Sequence, residues 1–470
     1  MIPHWTRSFL RKRAMFMFPP CAESVDVFAG TECYGSWAVN ARIYACSAVI
    51  CFANRLLQDY SLRLIGSLTR ASTPLGVFRH RNFAFVWGST TLVGIGTQME
   101  SAVLGWFVLS LTDSPFLVGS IAAARMALNF LALFAGAIAD RLPRNLLLVS
   151  VEFVMGIMGI LMLALILTDL LEVWHIFAIT LSMGVVRLFQ MPVAQSLVGD
   201  TLPRERVNNG AAFNTVAMNI AMLCGPVIGG LLYQWFGPQG AYLVIASLYL
   251  ASGMVAVGIR IERSERTSRP ESVMHTVTEG LRYAAGNQVI WAVLTAAVII
   301  NLTGWTVHTG LAPIFARDVL GTDSAGLGLL LFGFGVGALS GSLGLAMAPS
   351  LPHTGRLLFV AVIMWHTMVL LFSLSGSFYL SMGLFVLVGA AFASTQVLIL
   401  TLLLRTTQQE FRGRIMGLRS FAILAYSFGS MAAGAIAGVW GAPAAAQVVG
   451  VTGITLALVL AVVAPKLRRA

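Results

Sequence analysis

Four ionisable side chains stand inside long apolar runs of this chain: Glu100, Arg125, Glu152 and Arg187. A charge in such a run is costly unless an opposite charge meets it. Their spacing supplies the partners. Counted from Asp113, Glu100 lies 13 residues before and Arg125 12 after; counted from Leu170, Glu152 lies 18 before and Arg187 17 after. With turns at those two points, each glutamate reaches the depth of one arginine, about 18 Å in for the first pair at about 1.5 Å per residue. Each pair fits two kinds of chemistry. One is a neutralised structural salt bridge. The other is a proton switch, in which the carboxylate takes a proton when its arginine is drawn away or a cationic ligand arrives. Glu100 is the favoured proton carrier because it is expected to face a central cavity at mid-depth. Matched depth leaves the rotation of each helix about its own axis open.

His308 and His366 also lie in apolar runs, where a lone histidine is more often hydrogen-bonded packing than a proton carrier. Trp106, Trp305, Trp365 and Phe332 are candidates to line a greasy cavity for amphiphilic ligands, or equally to face lipid. Gly225, Pro226, Gly229 and Gly230 combine small residues with a helix-bending proline, which lets helices approach closely. The sequence contains no phosphate-cradling glycine loop followed by Lys and Ser/Thr, no metal-ligand cluster and no nucleophile constellation. The expectations are therefore no enzyme, no cofactor, no metal and no ATP-driven step.

Groups placed this way need elements of membrane length to hold them. Hydrophobic residues make up 57% of the 470 and charged residues 10%, with a mean hydropathy of +0.83, more apolar surface than a soluble core can hide. Runs near 20 apolar residues recur twelve times, whereas barrel strands would alternate over short segments. The predicted fold class is an all-α polytopic membrane protein with twelve transmembrane helices in two six-helix bundles. The first six runs are Phe83 to Leu111, a second ending at Ile138, Leu146 to Leu167, Val173 to Leu197, Ala211 to Phe236 and Ala241 to Val257. The second six are Val289 to Leu311, Ala325 to Ala348, Leu357 to Leu374, Phe378 to Leu404, Ile415 to Val439 and Ala445 to Val463.

The net charge of +11 is topological. Of the 30 Lys and Arg, 8 precede Thr73, 19 fall in connections on one side or, as Arg419 does, within about a turn of them, 1 (Arg317) falls on the other and 2 lie deep within runs. Nineteen against one places the basic loops and both ends of the core in the cytoplasm. The lipid bilayer is then the partner of the basic side chains, and no nucleic acid is needed.

Four domains follow: a leader over residues 1–74 that reads as disordered or weakly ordered, a six-helix bundle over 75–259, a cytoplasmic linker over 260–288 and a second bundle over 289–470. The linker mixes five arginines and four glutamates, and Glu279 to Tyr283 reads as a short amphipathic helix on the membrane surface. Cys21, Cys33, Cys46 and Cys51 lie in the leader and Cys224 in the core, at spacings of no zinc or redox motif. An offset of 205 residues aligns Glu205 with Glu410, Gly229 with Gly434 and Trp235 with Trp440, a faint duplication of a six-helix unit.

The loop Gly136 to Leu148 resembles the G-x-x-x-D-R-x-G-R-[KR] signature of the major facilitator superfamily. Gly136, Asp140, Arg141 and Arg144 match; Pro143 and Asn145 depart from it. GPVIGG over Gly225 to Gly230 resembles the antiporter motif of the drug:proton antiporters, with Ala221 in place of an earlier glycine. Arg187 to Gln190 resembles an R-x-x-Q signature linked to proton coupling, with Met191 in place of glycine. With Glu279 to Tyr283 and Ala312 to Gly321, these are similar to the bacterial branch that includes enterobactin-exporter-like and macrolide-efflux-like members.

The resemblance implies a monomeric secondary transporter of the bacterial inner membrane, exporting a small amphiphilic molecule such as a siderophore or hydrophobic drug in exchange for protons. It also implies that Asp140 contacts the start of the eleventh span near Arg412 and Arg414 as a cytoplasmic gate. The second half, from Gly341 to Arg356, has no good copy of that loop. A proton-coupled importer and a transport-inactive scaffold are the alternatives.

Overall fold

The computed structural model describes residues 74–139, 142–261, 273–348 and 353–470. The leader up to Thr73, residues 262–272, and the gate residues Asp140 and Arg141 lie outside them. The described residues form helices and the turns between them. The first half has spans at Arg81–Thr112, from Pro115 to Ala139, Arg144–Leu167 and Val173–Thr201, then one long element, Val207–Val257. The second has Gln288–Asp318, Ser324–Met347, Thr354–Ser373, Phe378–Thr406 and another long element beginning at Arg412 and running to Val463. Each long element folds back at a glycine with positive φ, Gly237 (66°) and Gly441 (84°), a conformation that glycine adopts without a Cβ clash. Prolines follow at Pro238 and Pro443. Divided there, the described residues are consistent with six spans in each half.

Local chemistry sets where the helices begin. The Ser114 side chain accepts from the Leu117 N–H, with Pro115 in the first turn. Asn287 accepts from the N–H groups of Val289 and Ile290, and Asp323 accepts from that of Gly326. Trp235 and Trp440, matched by the sequence repeat, are both exposed beside the two glycine turns, as aromatic side chains at a membrane interface are.

Two spans are less regular than the apolar runs predict. The second is α-helical over Pro115–Ala127, tightens into a 3-10 turn at Asn129–Leu131 and resumes over Ala132–Ala139. The seventh contains two π-helical turns, Ile300–Gly304 and Val307–Leu311. Pro313 cannot donate a backbone hydrogen bond to the preceding turn. The side chains of Asn301, Thr303, Thr306 and Thr309 donate to carbonyls four residues back, satisfying groups that wide turns leave poorly paired.

The linker contains a helix at Val273–Gly286, longer than the segment singled out from sequence. It docks on the start of the eleventh span. Tyr283 stacks on Phe411 with centroids 4.1 Å apart, and Glu279 pairs with Arg414 at 2.8 Å.

The two halves meet along two seams lined by glycine. In the fifth-to-eighth seam, a Cβ at Gly328 would lie 2.6 Å from the Pro226 carbonyl oxygen and 3.1 Å from Val227 Cα. In the second-to-eleventh seam, a Cβ at Gly434 would lie 2.8 Å from the Pro115 oxygen and 3.0 Å from Gly119 Cα. Arg317 reinforces this end, pairing with Asp113 at 2.7 Å and donating to the Leu109 carbonyl at 3.0 Å. Both seams close the end of the molecule opposite the arginine-rich loops.

Candidate transport site

Glu100 sits on the first span, 3% exposed. Arg187 of the fourth span donates to its Oε2, and the Tyr249 hydroxyl of the sixth span donates to the same oxygen at 2.6 Å. Arg187 also donates to Tyr249 Oη at 3.1 Å. Arg125 of the second span approaches Oε1 at 3.5 Å. Gly96, one turn before Glu100, admits the tyrosine ring: a Cβ there would lie 2.8 Å from Tyr249 Cε1. One carboxylate on the first span thus gathers two guanidinium groups and a phenol from three others.

This corrects the pairing expected from depth. Glu100 and Arg125 do meet, but Arg187 also turns to Glu100. Glu152 has no arginine. It accepts a hydrogen bond from Ser89 Oγ at 2.6 Å, and its Oε2 has no hydrogen-bond partner. The third and fourth spans bring Glu152 and Arg187 to similar depth on faces that point apart, since rotation about a helix axis is independent of depth.

Arg125 lines a cavity of about 160 Å³ between the halves. The first half contributes Thr97, Gln98, Ser101 and Met126 beside it, and the second contributes Trp305, His308, Phe334, Phe392 and Tyr426. Trp305 meets Phe392 edge-on at 5.4 Å, and His308 stacks on Phe334 at 4.1 Å. The Tyr426 and Thr309 hydroxyls are 2.8 Å apart. One wall is polar and cationic, the other aromatic. That arrangement suits an amphiphile.

The other sequence candidates divide. Trp305 and His308 line the cavity. Trp365 and His366 do not: both are 0% exposed, with Trp365 packed on Gly304 and His366 hydrogen-bonded to Thr303 at 2.7 Å and to the Val362 carbonyl at 2.8 Å. Trp106 packs against the buried core outside the lining, and Phe332 is exposed.

The glycine-proline motif works on two faces. Cβ atoms at Gly225 and Gly229 would come to 2.6 Å from Gln98 Cβ and 3.1 Å from Val103 Cγ2 on the first span, while Pro226 and Gly230 pack against Gly328 and Ser324 on the eighth. Of the gate residues, Gly136 has no atom within 4 Å of an added Cβ, Arg144 pairs with Asp200 at 2.7 Å, Arg412 donates to the Leu404 carbonyl at 3.2 Å, and Arg414 meets Glu279. Sequence reasoning missed Tyr249 and Tyr426. Tyr242 and Tyr249, seven residues apart on one face of the sixth span, were the available signal for the first. No group of three or more potential metal ligands occurs among the described residues.

Comparison with known proteins agrees with this architecture. Residues 72–469 match the family described as transmembrane secretion effector. The uncharacterised MFS-type transporter YkuC of Bacillus subtilis is 23% identical over 258 residues, covering 51% of this chain and 60% of that one. The multi-drug resistance efflux pump PmrA homolog of Lactococcus lactis is 24% identical, covering 37% and 41%. Multidrug resistance protein MdtG of Escherichia coli is 26% identical over 340 residues, covering 68% and 75%. The first two alignments span less than two thirds of the relatives' lengths.

Among solved structures, an inward-facing, unoccupied bacterial homolog of the human lysosomal transporter Spinster superposes with a TM-score of 0.65 at 13% identity, covering 83% of this chain and 96% of that one. The nucleoside transporter NupG gives 0.64 at 12% identity, covering 82% and 99%. With the family match running through the whole two-bundle core, the chain belongs to the transmembrane secretion effector family of major facilitator transporters.

Proposed function

We propose that this transporter exports a small amphiphilic molecule, of siderophore or hydrophobic-drug type, by alternating access driven by the proton-motive force, with protonation of Glu100 linked to the switch. The observation that carries the reading is the position of Glu100, held by groups from three other spans directly behind Arg125 in the cavity wall. Any change in its charge alters what holds those spans together. Export is supported by the likeness of Gly225 to Gly230 to the antiporter motif and by two relatives, one an efflux pump homolog and the other a multidrug resistance protein. The arginine-rich loops and both ends of the core then face the cytoplasm of a bacterial inner membrane, and the monomer is the working unit.

The test uses everted vesicles energised by respiration and a panel of siderophores and hydrophobic drugs. Export by proton exchange gives alkalinisation of the lumen on adding a transported compound, and no response from Glu100→Gln. Acidification on adding it, or uptake of the compound by intact cells, overturns export in favour of import. Normal flux in both Glu100→Gln and Asp140→Asn, with the protein in the membrane, overturns the mechanism.

A further inference from the structure

We propose that the ligand of the central cavity carries a negative charge, a carboxylate or comparable oxyanion, on an aromatic or otherwise apolar body. The inference deepens the export reading and rests on it only in taking this cavity as the transport site. Two guanidinium groups share one carboxylate, and they share it unequally. Arg187 and Tyr249 hold Glu100 Oε2, while Arg125 stands 3.5 Å from Oε1. The Arg125 side chain, 9% exposed, lines the cavity, and its NH1, the atom that stands 3.5 Å from Oε1, is buried and completes no hydrogen bond there.

Across the cavity, the indole Nε1 of Trp305 is likewise buried and unpartnered. An arginine and an indole N–H can only donate. Among the described residues, no acidic side chain lines the cavity. Donors without acceptors, on a wall with surplus positive charge, are satisfied by an acceptor that brings negative charge. The stacked His308 and Phe334 and the Phe392 ring offer the apolar body its surface. A cationic amphiphile would meet the same guanidinium with no carboxylate free to receive it.

The full chain, purified in detergent, is titrated calorimetrically with three probes of one shape: 2-naphthoate, 2-naphthamide and 2-naphthylmethylammonium. Naphthoate is expected to bind at least about tenfold tighter than the amide, the scale of one charge-assisted hydrogen bond, and the ammonium weakest. Arg125→Gln is expected to remove the preference. Trp305→Phe, which keeps the ring and loses the donor, is expected to weaken naphthoate about threefold or more. Ser101→Asp, which puts a carboxylate on the cavity wall, is expected to reverse the order and provides a test independent of the folding of Arg125→Gln.

Equal affinity for the three probes, tighter binding of the ammonium, or an unchanged preference in Arg125→Gln or Ser101→Asp overturns the inference. Because no gradient is present, a carboxylate preference that survives failure of export in vesicles supports the charge inference and overturns the export reading alone.

Discussion

Gly328→Ala tests whether the glycine seams hold the molecule closed at one end. The new Cβ would lie 2.6 Å from the Pro226 oxygen and 3.1 Å from Val227 Cα, so the fifth and eighth spans must part by roughly 0.8 Å to restore ordinary contact. Overpacking of this kind costs about 1–3 kcal/mol, and only in the conformation where the seam is closed. Alanine is intrinsically better than glycine within a helix, so the helix itself is not weakened. The closed-to-open equilibrium should therefore shift by roughly 5- to 150-fold.

A reporter cysteine at Ser427, 9% exposed with its hydroxyl donating across the other seam to the Ala123 carbonyl at 3.0 Å, reads the shift. The five native cysteines are replaced by serine, and labelling by a membrane-impermeant maleimide is followed in intact cells. If the halves rock as rigid bodies, Gly328→Ala speeds labelling at the distant seam severalfold or more. Gly344→Ala, on the same helix with nothing within 4 Å of its Cβ, leaves the rate unchanged. Equal rates in Gly328→Ala and the parent would refute the idea that these contacts set the closed state.

Glu100→Gln should insert and remain monodisperse, yet lose transport and lower thermal stability in detergent, because a guanidinium robbed of its buried counter-charge costs about 3–5 kcal/mol. Tyr249→Phe removes one hydrogen bond to that carboxylate, about 1.5–3 kcal/mol, and should reduce vesicle flux without abolishing it. Trp365→Ala, at a fully buried ring, should cost about 3–5 kcal/mol and cut the yield of folded protein, whereas Trp305→Ala should express normally and change ligand affinity. Gly237→Ala and Gly441→Ala each impose positive φ with extended ψ on a residue with a Cβ, about 1–3 kcal/mol, measurable as lower melting temperatures by size-exclusion chromatography after heating.

Hydropathy and charge made the span layout legible because both act along the chain, one residue at a time. The pairing of charges was only half legible. Counting residues gives depth, and depth brought Glu100 to Arg125, but which neighbour Arg187 meets depends on how the fourth span is rotated, a quantity set by packing against the spans around it. The same limit separates Trp305 from Trp365: both are tryptophans in apolar runs, yet one faces the cavity and the other fills the space beside Gly304. The glycine-proline motif was legible as close packing. Its two partners were not, since Gly225 and Gly229 answer the first span while Pro226 and Gly230 answer the eighth.

The unequal sharing of Glu100 has an electrical consequence. With both arginines and Glu100 ionised, this cluster of three side chains carries one unit of positive charge in an empty transporter. On the proposed orientation, water from the cytoplasm reaches that charge in one conformation and water from outside reaches it in the other, so it samples the membrane voltage without moving. Each 100 mV acting on one charge is worth about 2.3 kcal/mol, roughly fiftyfold in population. On that orientation, an inside-negative voltage would hold the empty carrier facing the cytoplasm. On the proposed reading, a monovalent anion seated at Arg125 would cancel that charge and let the loaded carrier turn outward, and a proton taken by Glu100 after the anion departs would add to the charge that the field draws back.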